Sequence, residues 1–223
     1  MAIALDQSTT SLGPTPFNFN HTPIGTPAAV ILFIIQIDAA ADEISNVQYG
    51  GVTMTEVATR AQDTGGEPGA TYCYFLGSSV PTGTQSVSAT DTASNGKNAY
   101  CITVTASGDC EVEDSGVAQE NSANPSISLT TGVTTFIAGG LHSGRNSVDL
   151  VTEGSGYTQL YEHDRGSVTS YVQYQESVAS GSPVCNWTAG GDDVAAFAVA
   201  IKETATGLTI PIVMHYHKLM AGD

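Results

Sequence analysis

The chain has 223 residues, of which 6 are Lys or Arg and 22 are Asp or Glu, so its formal net charge is −16. Binding to nucleic acid needs clusters of basic side chains that neutralise phosphates, and six scattered ones exclude that class of partner. The longest apolar run, residues 28–37, is interrupted by Gln36 and is too short to cross a bilayer, so no membrane partner is expected.

Strand-like segments follow one another along almost the whole chain, with Gly, Pro, Asn and Asp between them. Charged residues make up only 13%, about half the usual share, so hydroxyl and amide side chains must supply most of the polar surface. Residues 39–45 look helical, but the stretch is short and favours a turn. The predicted strands cover residues 17–21, 29–38, 44–49, 53–61, 70–77, 83–89, 99–106, 126–129, 134–139, 147–150, 157–163, 167–176, 193–203 and 208–218.

Two of the predicted strands show how apolar residues are distributed. In 99–106, Tyr100, Ile102 and Val104 alternate with smaller or polar residues, the period-two pattern of a strand. In 193–203, large apolar residues share one face opposite a row of Ala, which predicts a central strand buried on both faces. About fourteen such strands predict an all-β fold, an antiparallel β-sandwich or jelly roll made of two packed sheets.

The connections between strands define the predicted domain organisation. Gly50 and Gly51 join two strands in a tight hairpin, because glycine tolerates positive φ. Residues 107–125 are polar, acidic and weakly patterned, which predicts a long exposed loop. We find no sharp internal repeat and no linker, so one β-sandwich domain is expected over residues 1–206. A C-terminal extension, 207–223, would add an extra strand that could reach a neighbouring subunit.

Three segments occur in a distinctive order. The first is ISNVQYGGVTMT at 44–55, the second is YFL at 74–76 followed by PTGTQSV at 81–87, and the third is Trp187 followed by VAAFAVAIK at 194–202. This order resembles a jelly-roll-like β-sandwich module common in phage virion structural proteins and in bacterial surface proteins. The resemblance covers roughly residues 1–203, and the tail from residue 207 departs from it.

The resemblance implies a structural role in a phage virion and brings no catalytic residues with it. The expected function is that of a capsid decoration (cement) subunit on the outside of the head, with a tail or spike component as the alternative. Its partners would be the major capsid protein, other virion proteins and further copies of itself, with a trimer as one possibility. Residues 1–7 lack the features of a signal peptide, which fits a virion location reached by cell lysis.

A carbohydrate-binding or adhesin module is a second functional hypothesis. Aromatic rings could stack on sugars, because they offer apolar faces with polar tips. Packing within a core or an interface is the alternative reading, and it is favoured because Tyr171 and Tyr174 fall on opposite faces of their strand. The aromatic residues in question are Tyr157, Tyr161, Tyr171, Tyr174 and Trp187.

Metal binding has weak candidates in this sequence. His215 and His217 lie two apart in an extended stretch, so both imidazoles would point to one face and could hold a transition metal. Packing of this strand against a partner subunit is the favoured alternative. Acidic clusters could bind calcium, but none has EF-hand spacing, and solvated loop charge is favoured. These clusters are Asp38 with Asp42 and Glu43, residues 109–114, and Asp192 with Asp193. No metal and no cofactor is therefore expected.

Catalytic motifs give no support for an enzyme. The sequence has no GxSxG, HExxH or P-loop motif, and His163 and Asp164 beside Ser167 do not define a triad, because a triad is a geometric arrangement. A hydrolase on a jelly-roll scaffold is the third hypothesis, since a fold does not fix a function. The four cysteines allow three disulfide pairings, and buried free thiols are the favoured alternative.

Overall fold

The computed structural model describes residues 2–13, 17–37, 43–62, 69–92, 96–120, 124–144, 151–165, 168–189 and 193–204. Every regular element in these ranges is a β-strand, as expected for an all-β fold. The described part of the chain contains no helix of the length and apolarity that a membrane crossing requires. The predicted strands at 147–150 and 208–218, the domain end at 206 and the C-terminal extension lie outside the described residues.

The strands follow one another with short connections. They are β1 (Ala4–Gly13), β2 (Phe17–His21), β3 (Ala29–Ile37), β4 (Ile44–Tyr49), β5 (Val52–Thr53), β6 (Thr55–Gln62), β7 (Gly69–Leu76), β8 (Gln85–Asp91), β9 (Lys97–Thr105), β10 (Cys110–Glu120), β11 (Ser126–Ser128), β12 (Thr135–Gly144), β13 (Thr152–Glu153), β14 (Thr158–Asp164), β15 (Val168–Val178), β16 (Val184–Thr188) and β17 (Asp193–Glu203).

The described strands form four antiparallel sheets. The first inner sheet has the order β1-β9-β3-β7-β6 and the second inner sheet the order β10-β17-β12-β15-β14. The first outer sheet has the order β2-β8-β4-β5 and the second outer sheet the order β11-β16-β13. The antiparallel β-sandwich is therefore confirmed, but the two predicted sheets are in fact four.

Three apolar cores lie between the four sheets and stack them as layers. Leu32 and Val87 belong to the core between the first outer and first inner sheets. Phe33 and Phe197 belong to the core between the two inner sheets. Trp187 belongs to the core between the second inner and second outer sheets. Inner strands such as β9, β12 and β17 are buried on both faces for this reason, and β17 confirms the prediction made for residues 193–203.

The first nine strands and the last eight repeat one topology. β5 and β6 act as a single strand that leaves the first outer sheet at Met54 and enters the first inner sheet. Counted so, each half places its strands in the order 1-8-3-6-5 in the inner sheet and 2-7-4 in the outer sheet. Because the fifth strand of the first half also pairs with the fourth through β5, that half has the full jelly-roll arrangement.

Two β-bulges occur at the same places in both halves. Asp6 in β1 is the extra residue opposite β9, and Glu113 in β10 is the extra residue opposite β17. The residue pairs that precede these two bulges are at equivalent positions of the two halves. Val57 in β6 and Leu160 in β14 are the extra residues opposite β7 and β15. Bulges are specific features of a fold, so their repetition supports true equivalence of the two halves. The expectation of no internal repeat is corrected at the level of structure.

The prediction of a long exposed loop at 107–125 is also wrong. Most of it is β10, an eleven-residue strand paired with β17. The physical reason is its position at the edge of the second inner sheet, where one side of the strand is unpaired and polar side chains reach solvent. β1 was missed for the same reason, since it is an edge strand that carries mainly polar residues. β16, a five-residue strand in the middle of the second outer sheet, was missed as well.

Candidate functional site

The predicted metal ligands and acidic clusters do not form a common site in the described residues. His215, His217, Asp38, Asp42 and Asp192 lie outside the described residues. Elsewhere in the described ranges, no three His, Cys, Asp or Glu side chains are placed to hold a metal ion.

The acidic residues around the start of β10 have partners within the protein. Lys202 Nζ lies 3.4 Å from a carboxylate oxygen of Glu111 and 3.7 Å from one of Glu113. Asp114 accepts a hydrogen bond of 2.6 Å from the Thr130 amide. These carboxylates hold neighbouring strands and loops, and they do not converge on one point as calcium ligands would.

Of the five aromatic residues considered for sugar binding, three are buried and two are partly buried against a core. Tyr157, Tyr171 and Trp187 are buried in the core beside the second outer sheet. Tyr161 packs on Tyr100 with ring centroids 5.2 Å apart, and Tyr174 stacks on Phe136 at 5.7 Å. The packing interpretation of these rings is confirmed.

His163 also has a local structural partner. Its Nε2 accepts a hydrogen bond of 3.3 Å from Arg165 Nε, while Ser167 lies outside the described residues. Partial burial and the Arg165 charge lower the pKa of His163, against the opposing effect of Asp164.

A buried histidine that the sequence did not single out lies at the edge between the first outer and first inner sheets. His21 is fully buried, and its Nδ1 and Nε2 lie 2.9 Å and 3.1 Å from the hydroxyls of Thr9 and Thr103. The Thr103 hydroxyl is 3.0 Å from Asp6 Oδ2 and donates to it. Thr103 therefore accepts from Nε2–H, which leaves Nδ1 of a neutral imidazole to accept from Thr9.

We predict that His21 makes the protein less stable in acid. Burial lowers the pKa of His21 below its ordinary value of 6.5, and the nearby Asp6 carboxylate opposes this only in part. Since the folded pKa is below the unfolded one, the contribution of His21 is present above about pH 6.5 and is lost as the pH falls through the folded pKa. Urea unfolding at about pH 7.5 and about pH 5 should show a smaller pH-dependent loss in His21→Gln than in the wild type. Equal losses in both proteins would contradict this.

The four cysteines are free and buried. Burial raises the pKa of Cys110 and of Cys185 to about 12, with nearby carboxylates adding to the effect at Cys110. Burial also raises the pKa values of Cys73 and Cys101 well above the ordinary range of a thiol. Thiolates are the reactive form, so these groups are poor nucleophiles in the folded protein.

We therefore predict that a thiol-specific chromogenic disulfide reagent at about pH 8 labels the cysteines only after unfolding. Four thiols per chain should react in guanidinium chloride, and they should be strongly protected in buffer. Rapid labelling of a thiol without denaturant would show that the cores open more readily than their packing indicates.

The outward face of the first outer sheet is uncharged. Its exposed or half-exposed side chains alternate with the buried residues Val47 and Val87, as the period of a strand requires. They carry only hydroxyl and amide groups. They are Asn18, Asn20, Ser45, Gln48, Thr53, Ser86, Ser88 and Thr90.

The outward face of the second outer sheet has the same character. Its exposed side chains include Val184, which is 43% exposed, among small polar residues. The others are Ser126, Ser128, Thr152, Asn186 and Thr188. The described side chains that face outward at both ends of the stack of layers are therefore uncharged, in a chain of net charge −16.

Two carboxylates lie on strands of the outer sheets, and both turn away from these faces. Asp91 forms an ion pair with Lys97, with both side chains 1% exposed. Glu153 accepts a hydrogen bond of 3.0 Å from the Tyr171 hydroxyl of the second inner sheet. The other charged residues of the described ranges lie on the inner sheets or in connections.

Comparison with known proteins gives no relative: no family model, curated protein or solved structure matches the chain. The function must therefore be inferred from the surfaces of the molecule itself.

Proposed function

We propose that this protein is a virion structural protein, a decoration subunit that packs on the outside of a phage head against the major capsid protein and further copies of itself. The observation that carries the proposal is the pair of uncharged outer faces on a strongly acidic chain. A tail or spike position is the alternative within the same class, because the same faces would serve there.

Electrostatics explains why neutral faces favour assembly. Two copies of a chain with net charge −16 repel each other, and like charges brought together in a contact cost several kcal/mol. The centres of protein interfaces are depleted of charged residues for related reasons. Hydroxyl and amide groups can still form hydrogen bonds across such a contact, so the outer faces combine low repulsion with many donors and acceptors.

The packing of aromatic rings weighs against the adhesin hypothesis. Sugar-binding surfaces of that kind use exposed rings, whereas all five candidates are buried in a core or packed against one in the described structure. The outer faces, which are uncharged, therefore favour contact with another protein over contact with a sugar.

The proposal is tested by sedimentation with virus particles assembled without the gene for this chain. The full-length protein should bind such particles and sediment with them. Ser86→Glu combined with Ser88→Glu places two charges on the first outer face and should reduce binding at least tenfold. Thr158→Glu, on the exposed edge strand β14, adds one charge elsewhere and serves as the control, to be compared also with Ser86→Glu alone. Wild-type protein that stays in the supernatant would overturn the proposal, and antibody labelling of bound protein separates head from tail.

A further inference from the structure

One end of the stack includes three connections, which together we call the linker end. They are residues 22–28 between β2 and β3, residues 106–109 between the two halves, and residues 129–134 between β11 and β12. Strand register places the three connections together. Ala29, which follows the first connection, pairs with Val104 near the end of β9, just before residues 106–109. Phe136, which follows the third connection, pairs with Ile201 near the end of β17.

The first of these connections holds an exposed isoleucine on a fixed backbone. Ile24 is 77% exposed, the highest value among the large apolar side chains of the described residues. Pro23 and Pro27 on either side of it are buried. The bulge residue Asp6 accepts hydrogen bonds from the amides of Gly25, at 2.7 Å, and Ile24, at 3.2 Å.

The equivalent connection in the second half is built in the same way. Val133 is 48% exposed. The equivalent bulge residue, Glu113, accepts a hydrogen bond of 2.9 Å from the Gly132 amide. Thr131 is tied to Gly181 by two backbone hydrogen bonds, of 2.9 Å and 2.8 Å. In each half a bulge carboxylate thus fixes a glycine, and a branched aliphatic side chain beside that glycine faces solvent.

Fixed, exposed aliphatic side chains are suited to docking. Ordering a flexible loop on binding costs free energy, and a backbone that is already held avoids that cost. Apolar side chains that fill pockets in a partner supply a large part of the affinity of many interfaces. An additional surface is also needed: the first outer sheet offers about 20 Å by 20 Å, or about 400 Å², against about 800 Å² per partner in a standard interface.

The charge around the two side chains indicates the chemistry of the partner. Among the described residues near the linker end, the basic side chain is that of Lys202. The carboxylates near the linker end belong to Asp6, Asp109, Glu111, Glu113, Asp114, Glu176 and Glu203. A complementary surface therefore carries Lys and Arg around apolar pockets.

We propose that the linker end is a two-pronged docking surface, in which Ile24 and Val133 enter two apolar pockets of the shell protein that are rimmed by basic residues. The two prongs belong to loops that each bridge an outer and an inner layer, so they lie about two layers, or about 20 Å, apart. This inference rests on the proposed function, because it takes the shell protein as the partner.

Binding of three variants to the particles lacking this chain tests the inference. Ile24→Ser and Val133→Ser should each raise the Kd about tenfold, and the double variant should raise it further. Added salt should weaken binding of the wild type, because the rim contacts are ionic. Leu12→Ser is the matched control, since Leu12 is 40% exposed but lies near the opposite end of β1, paired with Asn98. The thermal midpoints of all variants should match the wild type.

The outcomes separate the two proposals. If the wild type binds and the double variant binds with the same Kd, the docking surface is wrong and the decoration function stands. If Leu12→Ser weakens binding as much as the double variant does, docking is not specific to the linker end and the inference is overturned. If the wild type does not bind, both proposals fail.

Discussion

Phe33→Ala is expected to lower the free energy of unfolding by about 3–5 kcal/mol. The ring of Phe33 is fully buried in the core between the two inner sheets, with its centroid 6.1 Å from that of Phe197. It also lies directly over Gly140, where an added Cβ would be only 2.9 Å from the ring. Removing the ring leaves a cavity at the contact between the two halves, and denaturant unfolding measures the loss.

Gly140 provides the control for this prediction. Gly140→Ala in the wild-type background should be destabilising, because the new methyl group overlaps the Phe33 ring. In the Phe33→Ala background the same change should cost less, because the methyl group enters the vacated space. Strict additivity of the two changes would contradict this packing between the inner sheets.

Lys97→Met is expected to cost about 3–5 kcal/mol, because it leaves the Asp91 carboxylate buried without its cation. Both side chains are 1% exposed, and the pair joins the start of β9 to the end of β8. The measurement is the denaturant midpoint at neutral pH.

The double variant Lys97→Met with Asp91→Leu is the informative control. Replacing both partners by apolar residues removes the uncompensated charge and should recover most of the lost stability. A double variant that is less stable than Lys97→Met would show that the pair contributes more than the cost of burying it.

The sequence was sufficient for strands that are strongly apolar or strictly alternating. The run ending at Ile37 predicts a buried strand and the pattern around Phe197 predicts a central one, and both β3 and β17 are interior strands of their sheets. The hairpin at Gly50 and Gly51 was also correct, with φ values of 57° and 80° and Tyr49 paired with Val52. These features depend on neighbouring residues alone, so local patterns are enough to find them.

The repeat of one topology in the two halves of the chain could not be found from local sequence patterns. Strand register gives Phe33 and Gly140 the same position in the two halves. The two residues also contact each other, and there Phe33 carries a large ring whereas Gly140 has no side chain. Residues that face each other across the inner core must be complementary in size, and this removes similarity between the two halves. Edge strands such as β10 add polar residues that hide the pattern further.

The candidate surfaces were only partly predictable. The low charge of the chain indicated a hydroxyl-rich surface, but its concentration on two outer faces depends on which strands leave the inner sheets. The fixed loops of the linker end depend on hydrogen bonds between residues distant in sequence, such as Asp6 with Gly25 and Glu113 with Gly132. Such contacts leave no local signal.

Imaging of the intact particle by electron cryo-microscopy tests the assembly role most directly. We expect four stacked β-layers on the exterior of the head, with Ile24 and Val133 against the shell and an outer face against a neighbouring subunit. Particles whose exterior density has no room for this stack, although the protein is made during infection, would contradict a decoration role.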